Sequence, residues 1–202
     1  MTKGVFYSMS KQLAFYFEQK YCVGCNTCMA ACKDKNNLNM GQRFRKVYEV
    51  AGGEYTVEKN VVIPKIYAFW ITISCNHCIN PVCVNECPTK AIKKRLEDGI
   101  VFIDQEKCIG CLRCLKSCPY EAPQYNSATK KVEKCDFCLD FLAQGKDPAC
   151  VSACPMRALD YGTLDILKQK YGSINEVIGM PSAEITTPAL VITPHRDAII
   201  IK

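Results

Sequence analysis

Sixteen cysteines divide into four sets of four, and their spacing restricts the fold of this 202-residue chain more than any other feature. The first set is Cys22, Cys25, Cys28 and Cys32. The second is Cys75, Cys78, Cys83 and Cys87. The third is Cys108, Cys111, Cys114 and Cys118, and the fourth is Cys135, Cys138, Cys150 and Cys154. No cysteine is left over. Pro88, Pro119 and Pro155 follow the last member of the second, third and fourth sets. The third set has the C-x2-C-x2-C-x3-C-P spacing that wraps a polypeptide around a [4Fe–4S] cubane, and the other three are variants of it.

The spacing has a physical reason. Three cysteines set close together lie on one loop, so each sulfur reaches a different iron. The fourth lies about one helical turn further on and ligates the neighbouring cluster instead. The proline then stops the helix. Gly24 and Gly110 sit inside the first CxxC of their sets, where the lack of a side chain lets the backbone approach the inorganic core. Zinc sites need CxxC pairs with a longer spacer. Disulfide frameworks belong to short secreted chains.

Residues 91–104 read as a β-hairpin turning at Asp98-Gly99, which joins the second and third sets. Residues 67–128 then form one two-cluster ferredoxin unit with exchanged ligands. One cluster takes Cys75, Cys78, Cys83 and Cys118, and the other takes Cys108, Cys111, Cys114 and Cys87. The outer sets are expected to pair in the same way. One cluster takes Cys22, Cys25, Cys28 and Cys154, and the other takes Cys135, Cys138, Cys150 and Cys32. The expected fold is α+β: two interleaved bacterial-ferredoxin-like units with a C-terminal extension. Its segments are 13–42, 67–97 and 99–128 as ferredoxin-type repeats, 130–162 as the fourth cluster-binding segment, and 163–202 as a partner-docking tail.

Further elements follow from pattern. Leu13–Glu18 reads as the strand entering the first set, and 157–162 as the strand leaving the fourth. Residues 33–42 read as a polar loop, and 43–50 and 66–73 as strands with a turn near Gly52-Gly53. Residues 163–171 read as a short helix. Tyr67, Phe69 and Trp70 are expected to serve core or interface packing, and His77 to stand behind the ligands of the second set. Residues 189–192, between Pro188 and Pro194, read as an apolar strand that docks a partner or lies along its own protein.

The formal net charge of +6 does not point to nucleic acid. Four clusters of about −2 each would bring the loaded protein near −2. Lys20, Lys33, Lys90, Lys107, Arg113, Lys116, Lys134 and Arg157 lie near the cysteines and offset cluster charge. No basic helix or stacking motif for nucleic acid is visible. No apolar run reaches the ~20 residues of a membrane span. Residues 1–10 lack the basic and apolar regions of a leader. No nucleophile motif or phosphate loop is visible, so no catalytic residue is expected.

Several stretches together carry a family resemblance. They are Ser74-Cys75-Asn76-His77-Cys78, Tyr48-Glu49-Val50-Ala51-Gly52-Gly53, Cys118-Pro119-Tyr120-Glu121-Ala122-Pro123-Gln124-Tyr125, Lys134-Cys135-Asp136-Phe137-Cys138 and Cys154-Pro155-Met156-Arg157-Ala158-Leu159-Asp160. Over roughly residues 11–194 the sequence resembles the electron-transfer subunit of the dimethyl sulfoxide reductase family. The resemblance implies a relay through four [4Fe–4S] clusters between two partners, a molybdopterin-containing catalytic subunit and an integral-membrane, quinol-oxidising anchor subunit. It places the cluster on Cys22, Cys25, Cys28 and Cys154 at the catalytic end, and that on Cys108, Cys111, Cys114 and Cys87 at the quinol end. Some relatives carry tryptophan at a third-set ligand position and a [3Fe–4S] cluster. This sequence keeps cysteine throughout. The resemblance also implies a membrane-associated complex, exported with its catalytic subunit or held at the cytoplasmic face. The rival function is a free polyferredoxin, for which the tail and residues 33–74 are superfluous. A redox sensor is a third reading, weakened by the lack of a DNA-binding element.

Overall fold

A computed structural model of the protein describes residues 11–199. The leader reading at residues 1–10 and the end of the tail at 200–202 lie outside the described residues. In sequence order the elements are β1 (Leu13–Glu18), α1 (Thr27–Lys35), β2 (Lys46–Glu58), β3 (Val61–Ile73), α2 (Val82–Asn85), β4 (Ile92–Lys94), β5 (Val101–Ile103), α3 (Arg113–Ser117), β6 (Gln124–Asn126), β7 (Lys131–Glu133), α4 (Leu139–Leu142), α5 (Ala149–Ser152), β8 (Leu159–Thr163), α6 (Leu164–Tyr171) and β9 (Leu190–Thr193). The result is mixed α/β with small separate sheets. Among the described residues no helix is long and apolar enough to cross a membrane.

The central sheet has the order β8-β1-β9. β1 pairs antiparallel with β8, from Leu13↔Thr163 to Phe17↔Leu159, and parallel with β9, from Phe15↔Leu190 to Glu18↔Thr193. Side chains alternate between faces along a strand, so the near-continuous apolar run of β1 serves two cores. Phe15 and Phe17 face the cysteine-bearing body with Phe137, Leu190 and Ile192. Ala14 and Tyr16, with Val191 of β9, face α6, where Leu164 and Leu167 are buried. Gly172, at φ +87, ends α6 in a positive-φ conformation that suits glycine. Of the two placements open for residues 189–192, the structure adopts the second: the strand lies buried along β1 of its own protein.

β2 and β3 form one long hairpin, paired from Lys46↔Ile73 to Glu58↔Val61. Its turn is Lys59-Asn60, with φ of 50 and 64, as a two-residue hairpin turn requires. The expected turn at Gly52-Gly53 is corrected: both glycines are inside the ladder. A β-carbon at Gly52 would meet the Tyr67 hydroxyl at 2.6 Å, and one at Gly53 the Lys65 carbonyl oxygen at 2.1 Å. Glycine here marks close approach rather than a reversal. The base of the hairpin buries Phe69, Ile71 and Ile73, and its far half exposes Tyr55, Val57, Val61 and Val62.

The hairpin read at residues 91–104 is β4–β5, paired Ile92↔Ile103 to Lys94↔Val101. Asp98-Gly99 lies within a longer connection, with Gly99 at φ +70. A second short hairpin, β6–β7, pairs Gln124↔Glu133 to Asn126↔Lys131. α2 packs against α3, and α1 against α5.

Candidate functional site

The four cysteine sets lie on two kinds of loop, each with its own backbone turns. In the first and third sets two left-handed residues, two positions apart, shape the loop. These are Gly24 and Asn26 (φ 68 and 61) in the first, and Gly110 and Leu112 (φ 66 and 64) in the third. In the second and fourth sets the residue before the second cysteine is left-handed: His77 (φ 44) and Phe137 (φ 66). After each Cys-Pro the third residue past the cysteine is left-handed too. Lys90, Glu121 and Arg157 (φ 53, 50 and 52) donate their N–H groups back to the carbonyls of Cys87, Cys118 and Cys154, at 3.2, 3.1 and 3.2 Å. Non-glycine residues adopt this region at a cost of about 1–3 kcal/mol where surrounding structure demands it. The first set lacks the proline, and α1 runs on past Cys32 to Lys35.

Backbone N–H groups from these turns and from neighbouring elements point at sulfur. Val132 donates to Cys108 Sγ at 3.5 Å, and Phe137 to Cys135 Sγ at 3.4 Å. Backbone N–H groups of Gly24, Ala122 and Ala149 favour the thiolates of Cys22, Cys118 and Cys138 against the opposing effect of burial. Successive N–H groups in such turns make a concavity that suits an anion. Gly24 and Gly110 also meet protein at close quarters. A β-carbon at Gly110 would meet the Lys130 carbonyl oxygen at 2.2 Å.

Three cavities each have four cysteines in their walls. One brings Cys154 beside Cys22, Cys25 and Cys28. A second brings Cys118 beside Cys75, Cys78 and Cys83. A third brings Cys87 beside Cys108, Cys111 and Cys114. They are alike in size, about 20 Å³ each. The remaining four are grouped by their mutual effects. Cys150 and Cys138 act on Cys32, and Cys32 and Cys150 act on Cys135. All four are buried.

Exposure is distributed in a definite way. Cys25 and Cys111 are the two solvent-exposed cysteines. The groups containing them are the first and last in a succession of neighbours. Cys28 feels Cys150, and Cys135 feels Cys75. The packed pair α2–α3 then carries Cys83 and Cys114, which line neighbouring cavities.

Burial controls the thiols. It pushes Cys32, Cys78 and Cys83 up to about 12 and Cys114 up to about 11, and it raises Cys135 well above the usual thiol range. Two cysteines go the other way. Cys25 is lowered by the Thr27 hydroxyl, which donates to its sulfur at 3.3 Å. At Cys87 burial is outweighed by the Ile92 N–H, the Thr89 hydroxyl and the Ala91 N–H. Iron binds thiolate, so loading these sites releases protons from the buried thiols.

Of the eight basic residues expected to offset cluster charge, Lys134 is buried, Lys33 is half-buried and the other six are exposed. Lys134 Nζ donates to the carbonyls of Val101 and Cys135, the latter at 2.9 Å. His77 is buried, and its Nδ1 accepts the Val101 N–H at 3.0 Å. Its imidazole is held well below its usual range by burial, with Lys134 and Lys94 adding to the effect. It therefore sits behind the second set, as a neutral brace to β5. Phe69 is core, and Trp70 is half-buried against Gly24. One buried cation was not foreseen: Arg45, 2% exposed, is thirteen positions beyond Cys32 and carries no motif.

The all-sulfur donor sets, their N–H donors and the cavities between them define an iron–sulfur protein. The profile of the 4Fe-4S dicluster domain matches residues 66–164. The sequence is 44% identical over 190 residues to the B subunit of anaerobic dimethyl sulfoxide reductase of Escherichia coli (strain K12), covering 94% of this protein and 92% of that one. It is 35% identical over 195 residues to the B subunit of polysulfide reductase of Wolinella succinogenes, covering 93% and 97%. With the thiosulfate reductase electron transfer subunit of Salmonella typhi, identity is 37% over 158 residues, covering 78% and 79%. The protein belongs to the iron–sulfur electron-transfer subunits of the dimethyl sulfoxide reductase family. It is a non-catalytic subunit of an oxidoreductase complex.

Proposed function

We propose that the protein relays electrons through four [4Fe–4S] clusters, between a quinol-reactive membrane subunit and a molybdopterin catalytic subunit. The ligand sets are Cys22, Cys25, Cys28 and Cys154; Cys32, Cys135, Cys138 and Cys150; Cys75, Cys78, Cys83 and Cys118; and Cys87, Cys108, Cys111 and Cys114. One observation carries the reading: four cysteine groups, each neighbouring the next, with a solvent-exposed sulfur only in the first and last. That suits entry at one end and exit at the other.

A [4Fe–4S] cluster supplies reversible one-electron uptake and release. The rest belongs to the polypeptide. Phe15, Phe17, Phe137 and Ile192 exclude water from the inner groups. The N–H groups of Phe137 and Val132 stabilise negative charge on Cys135 and Cys108. The exposed loops at Cys25 and Cys111 offer the contact points for the two partners. The complex is membrane-associated through its anchor. The assignment of the Cys25 end to the catalytic subunit rests on family resemblance.

Two measurements test this. Iron and acid-labile sulfide should each reach about sixteen per polypeptide; about eight would leave two groups unassigned. Cys154→Ser should remove the signal of the cluster on Cys22, Cys25 and Cys28, and Cys32→Ser that of the cluster on Cys135, Cys138 and Cys150. If each instead erased the cluster of its own sequence set, the crossed pairing would be wrong. A lone monomer after gentle anaerobic isolation from the native host would favour a free carrier.

A further inference from the structure

Arg45 lies in the connection leading into β2, and both its backbone and its side chain are enclosed by the cysteine-bearing body. Its guanidinium stacks over Phe15 at 4.8 Å. Nη1 donates to Thr72 Oγ1 at 3.3 Å and Nη2 to Ser74 Oγ at 3.0 Å, while buried Nε meets no acceptor among the described residues. Guanidinium only donates, so the Thr72 oxygen accepts from it. The one hydroxyl proton of Thr72 is then free for Cys28 Sγ, 3.5 Å away. On the other side, the Arg45 backbone N–H favours the thiolate of Cys32.

No carboxylate among the described residues answers this cation. The acidic groups around it are the thiols of Cys150, Cys28, Cys135 and Cys32. A buried charge without an opposite charge costs several kcal/mol. Protonated thiols do not supply one, whereas iron-bound thiolates around Arg45 do. Cys28 and Cys32 sit on one helix, α1, yet they face different cysteine groups. Arg45 touches both groups, the first through Thr72 and the second through its own backbone.

We propose that Arg45 is a positioning residue that sets the reduction potentials of two clusters together, the one on Cys22, Cys25, Cys28 and Cys154 and the one on Cys32, Cys135, Cys138 and Cys150. This rests on the four-cluster reading above. A cluster gains negative charge on reduction, so a fixed cation between the two favours the reduced form of each. Thr72 transmits the effect to the first cluster only. The fixed charge also makes these two adjacent steps of the relay rise or fall as a unit.

The test is an anaerobic redox titration of the intact complex followed by electron paramagnetic resonance, with iron content measured on each sample. In Arg45→Met two of the four potentials should move negative while two stay in place. At a fixed ambient potential the ratio of reduced to oxidised cluster at those two should fall about tenfold, about 59 mV for a one-electron couple. Arg45→Lys should recover most of the shift, because charge and not fork geometry is at issue. Thr72→Val should move one potential alone. No movement in Arg45→Met, or equal movement of all four, overturns the proposal. If Arg45→Met loses iron, Thr72→Val decides: a single shifted potential supports the role and four unchanged potentials overturn it. A wild-type iron content near eight would refute the four-cluster reading instead, and is recognised before any variant is made.

Discussion

The indole of Trp70 closes over Gly24: a β-carbon at Gly24 would stand 2.2 Å from Nε1 and 2.3 Å from Cδ1. Gly24 is also left-handed at φ +68, inside the loop between Cys22 and Cys25. Two penalties therefore meet at one position. Gly24→Ala should lose about four of about sixteen iron atoms, with the remaining clusters intact. Adding Trp70→Ala should restore part of that iron by removing the clash, but not all, since the left-handed backbone still costs about 1–2 kcal/mol. Full iron in Gly24→Ala would show that the contact is dispensable.

Gln12 joins three pieces of the protein that are far apart in sequence. Its Nε2 donates to the carbonyls of Leu13 at 2.8 Å and of His77 and Gly99 at 3.3 Å each. Gln12→Ala removes the donor facing two buried carbonyls, at a cost of about 1–3 kcal/mol. Denaturant unfolding of the loaded protein, followed by its iron–sulfur absorbance, should show an earlier midpoint. An unchanged midpoint would mean water replaces the amide fully.

Lys134 delivers a buried point charge to the carbonyls of Val101 and Cys135, next to Cys83 and Cys118. Lys134→Met keeps the bulk and removes the donor, so stability should drop by about 1.5–3 kcal/mol. Lys134→Arg should not rescue it, because a planar fork does not fit a site made for a compact ammonium. Comparable melting of Lys134→Arg and wild type would contradict this.

Tyr16 has its hydroxyl on Glu18 and 2.7 Å from Thr193 Oγ1, and its ring stacks on Tyr171 at 3.7 Å. Burial, then the Glu18 carboxylate, raises its phenol above the ordinary value of 10. Above pH 10 the unfolded state releases a proton that the native state keeps. The unfolded state then binds fewer protons, so stability falls as pH rises. Tyr16→Phe should show a shallower decline between pH 10 and pH 12 than wild type, measured on the loaded protein. Parallel slopes would remove Tyr16 from the alkaline transition.

The spatial grouping of the cysteines is largely local in sequence: three of the four that line each cavity come from one short stretch. The strand at Leu13–Glu18 was legible because an apolar run bounded by charge has few other uses. The turn of the long hairpin was not. Gly52-Gly53 carries the usual sign of a reversal, yet Tyr67 and the Lys65 carbonyl need those missing side chains, while Lys59 and Asn60 are held left-handed by the paired ladder. Strands as short as Gln124–Asn126 have no readable period. The left-handed turns at His77, Phe137, Glu121 and Arg157 fall on residues that do not advertise them. Arg45 was invisible for the plainest reason: its neighbours in space are remote in sequence, and only the folded protein shows a cation surrounded by sulfur.

The central position of β1 also bears on how the protein is made. β1 leaves the ribosome well before both strands that flank it, β8 at Leu159–Thr163 and β9 at Leu190–Thr193. At about 5–20 residues per second, that interval is roughly 7–30 s. Through it the nascent polypeptide carries an apolar strand with two open edges, while the segment between β1 and β8 in sequence has time to close on itself.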